Sequence, residues 1–391
     1  MSATRYQIPR LPEDRDGTNP SCERFSLADW CCPESRVLDK TKPLARVLPP
    51  PEKSAKRASL VHTSDEEPGI RRKRAGRGFF YVAPNGRKLG DGKTLARIRS
   101  LAIPPAWSDV WISPQPDGHL QATGRDERGR KQYRYHPRWS TCRDEVKYSS
   151  LVAFAEALPR LRRRIDADLR RHGLPPERIV ASVVWLLDNT MIRIGNAAYA
   201  RDNKSFGLTT LRDRHVEITG STLRFAFKGK SGREWHLKLT DRRIAKVVRG
   251  AQDLPGQHLF QYLDSDGARH TIGSQDVNDY IREATSADFS SKHFRTWGGT
   301  ICAAVLLATE PVPKTEAAAK RAMNKVIDQV AHRLGNTRAV CRRCYIHPAV
   351  IETWTKGHLA YELKAVLNAL RKPIEGLDDQ ETLILKWLSG K

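Results

Sequence analysis

The sequence predicts an α+β protein: a disordered N-terminal arm, a small β-rich domain, and a larger, mostly α-helical domain that carries a β-ribbon. Three observations carry this reading. The first 74 residues hold nine of the 23 prolines, including Pro49-Pro50-Pro51, and their apolar residues keep neither a helical nor a strand period. From Gly76 onward, short alternating runs are broken by turn residues. Beyond residue 140, apolar residues recur at intervals of three and four. The expected division is therefore an arm over 1–74, a β-rich domain over 75–140 and a helical domain over 141–391.

In chain order, the arm ends on Arg71-Arg72-Lys73-Arg74, which reads as a solvated basic linker or, equally, as an address signal or a DNA-grazing arm. Gly78-Phe79-Phe80-Tyr81-Val82 before Pro84-Asn85-Gly86 reads as strand and tight turn. A short helix is expected near Thr94 to Ser100. Further strands are expected at 109–113 and 119–124, around Pro116-Asp117-Gly118. The β-rich domain should end near Arg138-Trp139, with a hinge-like linker over 138–150. Helices follow at Leu151–Leu158, Leu161–His172 and Glu177–Asn189. Residues 215–239 alternate with period two around Lys228-Gly229-Lys230-Ser231-Gly232-Arg233, a ribbon with a basic turn. Helical spacing returns from Gln275, through Lys314–His332, and in Leu359–Leu370 and Gln380–Leu388.

The charge narrows the partner. The chain has 391 residues and 68 Lys+Arg against 44 Asp+Glu, a formal charge of +24. Fifteen bases and eleven acids lie in the first 74 residues, so only +4 belongs to the arm and +20 to the 317 residues after it. A surplus of that size must face an anion, and a polyanion is the first candidate. No apolar run of about 18 residues is present and none follows Met1, so neither a membrane span nor a secretory signal is expected. Seven thinly spread cysteines argue against a disulfide framework and for a reducing, cytoplasmic setting.

Several segments could carry chemistry. Gly129-Arg130-Lys131-Gln132-Tyr133-Arg134-Tyr135 interleaves cations and tyrosines with period two. On a strand, Tyr133 and Tyr135 share one face and Arg134 takes the other. That suits a nucleic-acid backbone, or else a half-buried strand whose tyrosines are core. Lys228-Gly229-Lys230-Ser231 imitates the end of a phosphate-binding loop, but position 224 is Arg where that loop requires glycine, so ATP is not expected there. Arg295 lies where an apolar helix begins, a place that attracts phosphate. Cys341, Cys344 and His347 make half a zinc site with nothing to complete it, so no metal is expected.

As a set, these residues resemble the type IB DNA topoisomerases, in the compact poxvirus and bacterial form and more closely its bacterial branch. The resemblance runs from about Gly76 to Trp354. Met191-Ile192-Arg193-Ile194-Gly195-Asn196, with Tyr199 and Phe206-Gly207-Leu208-Thr209-Thr210-Leu211, resembles the first-arginine block. Phe227-Lys228-Gly229-Lys230 resembles the lysine hairpin, and Lys292-His293-Phe294-Arg295-Thr296-Trp297 the second-arginine block. Leu334-Gly335-Asn336-Thr337, with Tyr345 nine residues past Asn336, resembles the nucleophile block. The run from Gly129 to Tyr135 is similar to the DNA-contacting strand of the family's N-terminal domain. Two positions depart from the commonest pattern: Asn336 where many members have His, and His293 where Asp is expected.

The resemblance implies an ATP- and metal-independent enzyme acting on supercoiled duplex DNA as a monomer, associated with the nucleoid. Tyr345 would be the nucleophile, trading a phosphodiester for a 3′-phosphotyrosyl ester of similar energy. Arg193 and Arg295 would clamp the phosphoryl oxygens, Asn336 would add a neutral donor, and Lys230 would protonate the leaving 5′ oxygen. Arg130, Gln132, Tyr133, Tyr135 and Tyr199 would contact the duplex. A tyrosine recombinase shares the Arg/Lys/Arg/Tyr set but usually has His three residues before the second arginine, where this chain has Lys292. A non-enzymatic DNA-coating protein would account for the charge but would form no covalent adduct.

Overall fold

The computed structural model describes residues 51–391 apart from Arg77, Arg128 and Ser265. By its internal contacts the chain divides into two compact units. A terminal unit gathers the described residues up to Leu158 with Thr296–Ala331 and Asn336–Lys391; a central unit gathers Pro159–Arg295 with His332–Gly335.

The terminal unit opens with α1 (Pro51–Arg57) and a sheet built from β1 (Ile70–Ala75), β2 (Gly78–Val82), β3 (Ser108–Ile112), β4 (Leu120–Arg125) and β5 (Lys131–Tyr135), with α2 (Gly92–Ser100) between β2 and β3. The strand order is β2-β1-β3-β4-β5, all antiparallel. Ile70, Val110, Ile112 and Ala122 line up across β1, β3 and β4 and pack with Ile98 of α2, closing a small core. Asp91 caps α2 by accepting from the backbone of Lys93 and Thr94, one of the standard ways to satisfy first-turn N–H groups.

The arm expected over 1–74 lies outside the described residues up to residue 50, and its remainder is ordered: 51–57 is helical and Ile70–Arg74 belongs to β1. The basic run is therefore sheet, and the reason is alternation. Ile70 is buried at 3% exposure. Two residues on, the Arg72 guanidinium lies 4.2 Å from the Phe79 ring centroid and donates to the carbonyls of Ile103, Pro104 and Trp107. A half-buried arginine satisfied by carbonyls packs as part of the sheet, which a count of charges reads as linker.

β5 leads straight into α3 (Pro137–Leu169), so residues 138–150, expected as a linker, and the two helices expected after them are one 33-residue helix with Pro159 inside it. Its first turns bury Trp139, Cys142 and Tyr148 in place of the aliphatic stripe that marks a helix in sequence. Trp139 packs with Ala55 and Leu60 from the start of the described chain.

The central unit holds α4 (Pro176–Thr190), α5 (Ala197–Asn203), a meander of β6 (Val216–Thr219), β7 (Thr222–Lys228) and β8 (Glu234–Thr240), then α6 (Arg242–Gln252), the small pair β9 (Gln261–Leu263) and β10 (Arg269–Thr271), α7 (Ser274–Thr285) and the start of α8 (Ser291–Thr309). The expected two-stranded ribbon is thus a three-stranded sheet with β7 in the middle. α4 lies against α6, α7 and β9. Val183, Val184 and Leu187 of α4, Val247 and Val248 of α6, and Val277 and Ile281 of α7 are fully buried.

α9 (Glu316–Leu334), α10 (Arg338–Cys344), α11 (Pro348–Thr355), α12 (Leu359–Ala369) and α13 (Asp379–Ser389) complete the chain. In the terminal unit the Trp354 indole donates to Glu310 O at 2.8 Å and the Trp387 indole to Glu362 Oε2 at 2.7 Å. Among the described residues, no helix is long and apolar enough to cross a membrane.

Candidate active site

α4 stops without a glycine: Met191 takes a left-handed conformation (φ 56, ψ 18) and returns its N–H to Leu187 O. The chain then runs as an irregular strap through Arg193. The strap is held by the segment Gly207–Thr210, whose Leu208 N–H donates to Arg193 O at 2.9 Å and whose Thr209 N–H donates to Ile194 O at 2.7 Å. The fit requires glycines, because a Cβ on Gly207 would sit 2.5 Å from Arg193 O and 2.5 Å from Gly195 N. Gly195 itself has φ +103, a conformation that L side chains rarely adopt. The separated halves of the first-arginine block are therefore one backbone-to-backbone clasp.

Two guanidiniums converge on the C-terminus of α9. Arg193 donates from both terminal nitrogens to Gly335 O, at 3.2 Å each. Arg295, 4% exposed, donates from Nη2 to Leu334 O at 2.6 Å and from Nη1 to Met191 O, so it bridges the ends of α9 and α4. Helix C-termini leave carbonyls unsatisfied and carry partial negative charge, which explains how two buried or half-buried cations are held here by carbonyls. Arg295 lies in the second turn of α8, one turn past the expected helix start, and reaches toward α9. The α8 N-terminus is itself capped: Ser291 N–H donates to Asn278 Oδ1 at 3.0 Å and Ser290 N–H to His293 Nδ1 at 3.0 Å. His293 thus does locally what a carboxylate would do at that position.

The lysine turn meets the same place. Lys230 is exposed just beyond β7, at the start of a turn in which Gly229 N–H donates to Arg233 O at 2.7 Å and Ser231 has φ 63. Trp235 of β8 backs this turn and stacks on Phe227. A Cβ on Gly229 would lie 2.7 Å from Trp235 Nε1, and one on Gly335 would lie 2.8 Å from Trp235 Cζ2. One indole is therefore wedged between the glycine before Lys230 and the glycine that accepts from Arg193. Sequence reasoning read Trp235 only as a strand residue; its signal was a bulky aromatic facing two obligatory glycines.

Asn336 and Tyr345 belong to the terminal unit. Asn336 is buried, with its N–H on Ala331 O at 2.8 Å. Thr337 caps α10, and Tyr345 closes it as C-cap (φ −134, ψ −1), with its N–H on Cys341 O at 2.9 Å. Two successive α3 side chains take the next carbonyls: Tyr148 OH donates to Arg343 O at 2.8 Å and Lys147 Nζ to Cys344 O. Sequence reasoning missed both, since 138–150 read as linker. His347 follows, capping α11 through its own Nδ1; burial, reinforced by the nearby Lys147 charge, pushes it down to about 4. Among the described residues, no cluster of His, Cys, Asp or Glu could hold a metal ion.

On β5, Tyr133 and Tyr135 are 45% and 44% exposed and stack at 5.9 Å with nearly parallel rings, so they are surface rather than core. Arg134 turns away, its guanidinium 5.3 Å from the Trp107 ring centroid. Arg130 and Gln132 both reach Asp126 Oδ2, at 2.8 and 2.9 Å, and stiffen the β4–β5 turn. Tyr199, in the central unit, is 43% exposed on α5.

Residues 136–371 match the family described as the eukaryotic DNA topoisomerase I catalytic core, and residues 78–126 match the bacterial DNA topoisomerase IB N-terminal domain. DNA topoisomerase 1B of Acanthamoeba polyphaga mimivirus is 30% identical over 293 residues, covering 73% of this chain and 87% of its own. DNA topoisomerase I of Monkeypox virus is 23% identical over 269 residues, 65% of this chain and 80% of its own. DNA topoisomerase 1 of Mycosarcoma maydis is 25% identical over 221 residues, 51% of this chain and 21% of its own. The chain belongs to the type IB DNA topoisomerases.

Proposed function

We propose that Tyr345 is the nucleophile by which this type IB topoisomerase nicks one strand of duplex DNA, with Arg193, Arg295 and Asn336 acting on the scissile phosphate. As the phenolic oxygen attacks phosphorus, charge grows on the two non-bridging oxygens. Guanidiniums preorganised on helix carbonyls stabilise that charge without reorganising, and Asn336 adds a neutral donor in place of an imidazole. The 5′ oxygen leaves with a proton from Lys230, and the nick reseals when the 5′ hydroxyl attacks the phosphotyrosyl ester, so neither ATP nor a metal takes part. Tyr133, Tyr135, Arg130, Gln132 and Tyr199 contact the duplex. The protein acts as a monomer on positively and negatively supercoiled DNA in the cytoplasm, at the nucleoid.

The observation that carries this reading is the convergence, within the central unit, of Arg193, Arg295 and the Lys230 turn on the carbonyls and glycine that immediately precede Asn336 in the chain. Neither a packing role nor plain DNA coating calls for two arginines held on one helix end with a lysine turn beside it. The test is relaxation of supercoiled plasmid in EDTA without ATP, paired with detergent trapping of the covalent complex. The wild type relaxes both signs of supercoil and forms the adduct. Tyr345→Phe keeps salt-sensitive DNA binding and loses both, a loss of at least about 10³-fold being usual for removal of a covalent nucleophile. An adduct that persists in Tyr345→Phe would overturn the assignment.

A further inference from the structure

We propose that Trp235 is a positioning residue for protonation of the leaving group, its indole a spacer that sets the Lys230 turn at a fixed distance from the residue on which Arg193 is held. The inference rests on the reading of Lys230 as the acid and adds a residue from β8, a strand to which the reaction otherwise assigns nothing.

The geometry lies wholly within the central unit. The β7–β8 ladder ends at the pair Lys228–Glu234, and residues 229–233 between them form the turn that carries Lys230. Inside the turn, Gly229 N–H donates to Arg233 O at 2.7 Å and Gly232 N–H to Gly229 O at 3.1 Å. The residues from Lys230 to Arg233 are exposed, and no ion pair or hydrogen bond among the described residues ties down the Lys230 ammonium. Its place therefore follows from the turn. Phe206 N–H on Lys228 O, at 2.8 Å, joins the end of β7 to the clasp around Arg193, but it reaches only the base of the turn. Beyond that base the indole takes over: Gly229 is buried, and a Cβ there would lie 2.7 Å from Trp235 Nε1 and 2.9 Å from Cδ1.

The same ring also lies against Gly335, where a Cβ would meet Cζ2 at 2.8 Å and Cε2 at 3.1 Å. Neither contact leaves room for a methyl group, so the indole touches both backbones and fixes their separation. Both ends of this spacer are firm. Gly335 O accepts both terminal nitrogens of Arg193, and Leu334 O just before it accepts from Arg295. Phe227, buried in β7, stacks on the indole with ring planes 1° apart and has the His215 ring 6.3 Å away on β7's other neighbour. Arg193 and Lys230 serve the same bond change, one at the non-bridging oxygens and one at the leaving oxygen, yet they come from a strap and a turn far apart in sequence. Proton delivery works only over hydrogen-bond distance, and a shift of about 1 Å costs on the order of 100-fold. Trp235 makes the spacing of the two cations a property of packed backbone. It exchanges no atom itself: the phenolic oxygen bonds to phosphorus, the bond to the 5′ oxygen breaks, and that oxygen takes the Lys230 proton as before.

The experiment follows single-turnover cleavage of a short duplex with a mapped scissile position, made once with an ordinary phosphodiester and once with a 5′-bridging phosphorothiolate, by the full-length protein and its variants. The sulfur of the second substrate leaves as a thiolate and needs no proton. On the phosphodiester, Trp235→Ala is expected to cleave about 100-fold more slowly than the wild type, with DNA binding as a function of salt unchanged. On the phosphorothiolate its rate returns toward the wild-type rate, as does that of Lys230→Ala. The double variant Trp235→Ala/Lys230→Ala is no slower on the phosphodiester than Lys230→Ala, because the spacer then has nothing left to position. Wild-type cleavage in Trp235→Ala, an equal deficit on the two substrates, or a deficit that multiplies with that of Lys230→Ala overturns the proposal. Should Trp235→Ala fail to fold, Gly229→Ala decides: the backbone there (φ −92, ψ −166) admits alanine, so the added methyl meets the indole and displaces the turn. It must slow cleavage of the phosphodiester and be restored by the phosphorothiolate, and an equal loss on both overturns the proposal. Lys230→Ala separates the two readings. No rescue there removes Lys230 as the acid, whereas rescue there without rescue of Trp235→Ala removes only the role of Trp235.

Discussion

His293 is the third residue of α8, and its Nδ1 accepts the N–H of Ser290, the residue just before the helix, at 3.0 Å. That is one half of a capping box, a role usually given to a carboxylate or amide that reaches back over the first turn. A neutral imidazole nitrogen meets the same need, and Phe289 packs edge-on against the ring to hold it there. Since a cap is worth about 1 kcal/mol, His293→Ala is expected to lower unfolding free energy by that amount in urea titration, with His293→Asp close to wild type. An unchanged midpoint in His293→Ala would show that the contact does not cap. The same residue illustrates what spacing tells and what it omits. Arg193, Lys230, Arg295, Asn336 and Tyr345 are candidates because the blocks around them resemble those of the type IB topoisomerases, and the side chains of such blocks are written in the sequence. Their partners could not, because Met191 O, Leu334 O and Gly335 O are backbone groups that every residue possesses.

Among the elements, the strap that carries Arg193 depends on another stretch of backbone. Gly207 and Gly195 touch so closely that no side chain fits between them, and the hydrogen bonds on Arg193 O and Ile194 O set where the guanidinium emerges. Gly207→Ala forces its Cβ against a carbonyl and a peptide nitrogen, neither of which can swing aside as a side-chain tip would. A shift of about 1 Å at a reacting group costs on the order of 100-fold in rate, so covalent-complex formation should fall by about that factor while DNA affinity holds. Wild-type cleavage in Gly207→Ala would mean that the clasp does not position Arg193. The strands and helices that could be read in sequence were those with a clean apolar period, such as α4, β7 and α7. Those misread, β1 and the first turns of α3, half-bury an arginine and bury tryptophan, cysteine and tyrosine instead. Their polar groups are satisfied by carbonyls that become neighbours only when the chain folds, as the half-buried Arg72 is by Ile103, Pro104 and Trp107.

For the molecule as a whole, beside a formal charge of +24, several interior or half-buried positions are filled by neutral histidine. His119 and His215, both buried, and the half-buried His347 have pKa values drawn down by burial, His347 the furthest, to about 4. A histidine with a depressed folded-state value stays neutral in the fold while the unfolded chain already binds the proton. Stability is therefore full above the ordinary value of about 6.5, declines as pH falls below it, and stops declining once the folded-state value is passed. Most shifted carboxylates, Asp65, Asp168 and Glu362 among them, are drawn down instead and lose their contribution only in more acid solution. Asp213, which burial raises, acts in the opposite sense. The window between pH 7 and pH 5 thus isolates the histidines. His347→Asn keeps a short side chain that can cap α11 but does not titrate. Between pH 7 and pH 5 it should lose about 2 kcal/mol less unfolding free energy than the wild type, measured by urea titration at both values. Equal losses in the two proteins would mean that His347 takes up its proton as readily in the fold as in the unfolded chain, and that Lys147 and burial do not hold it neutral.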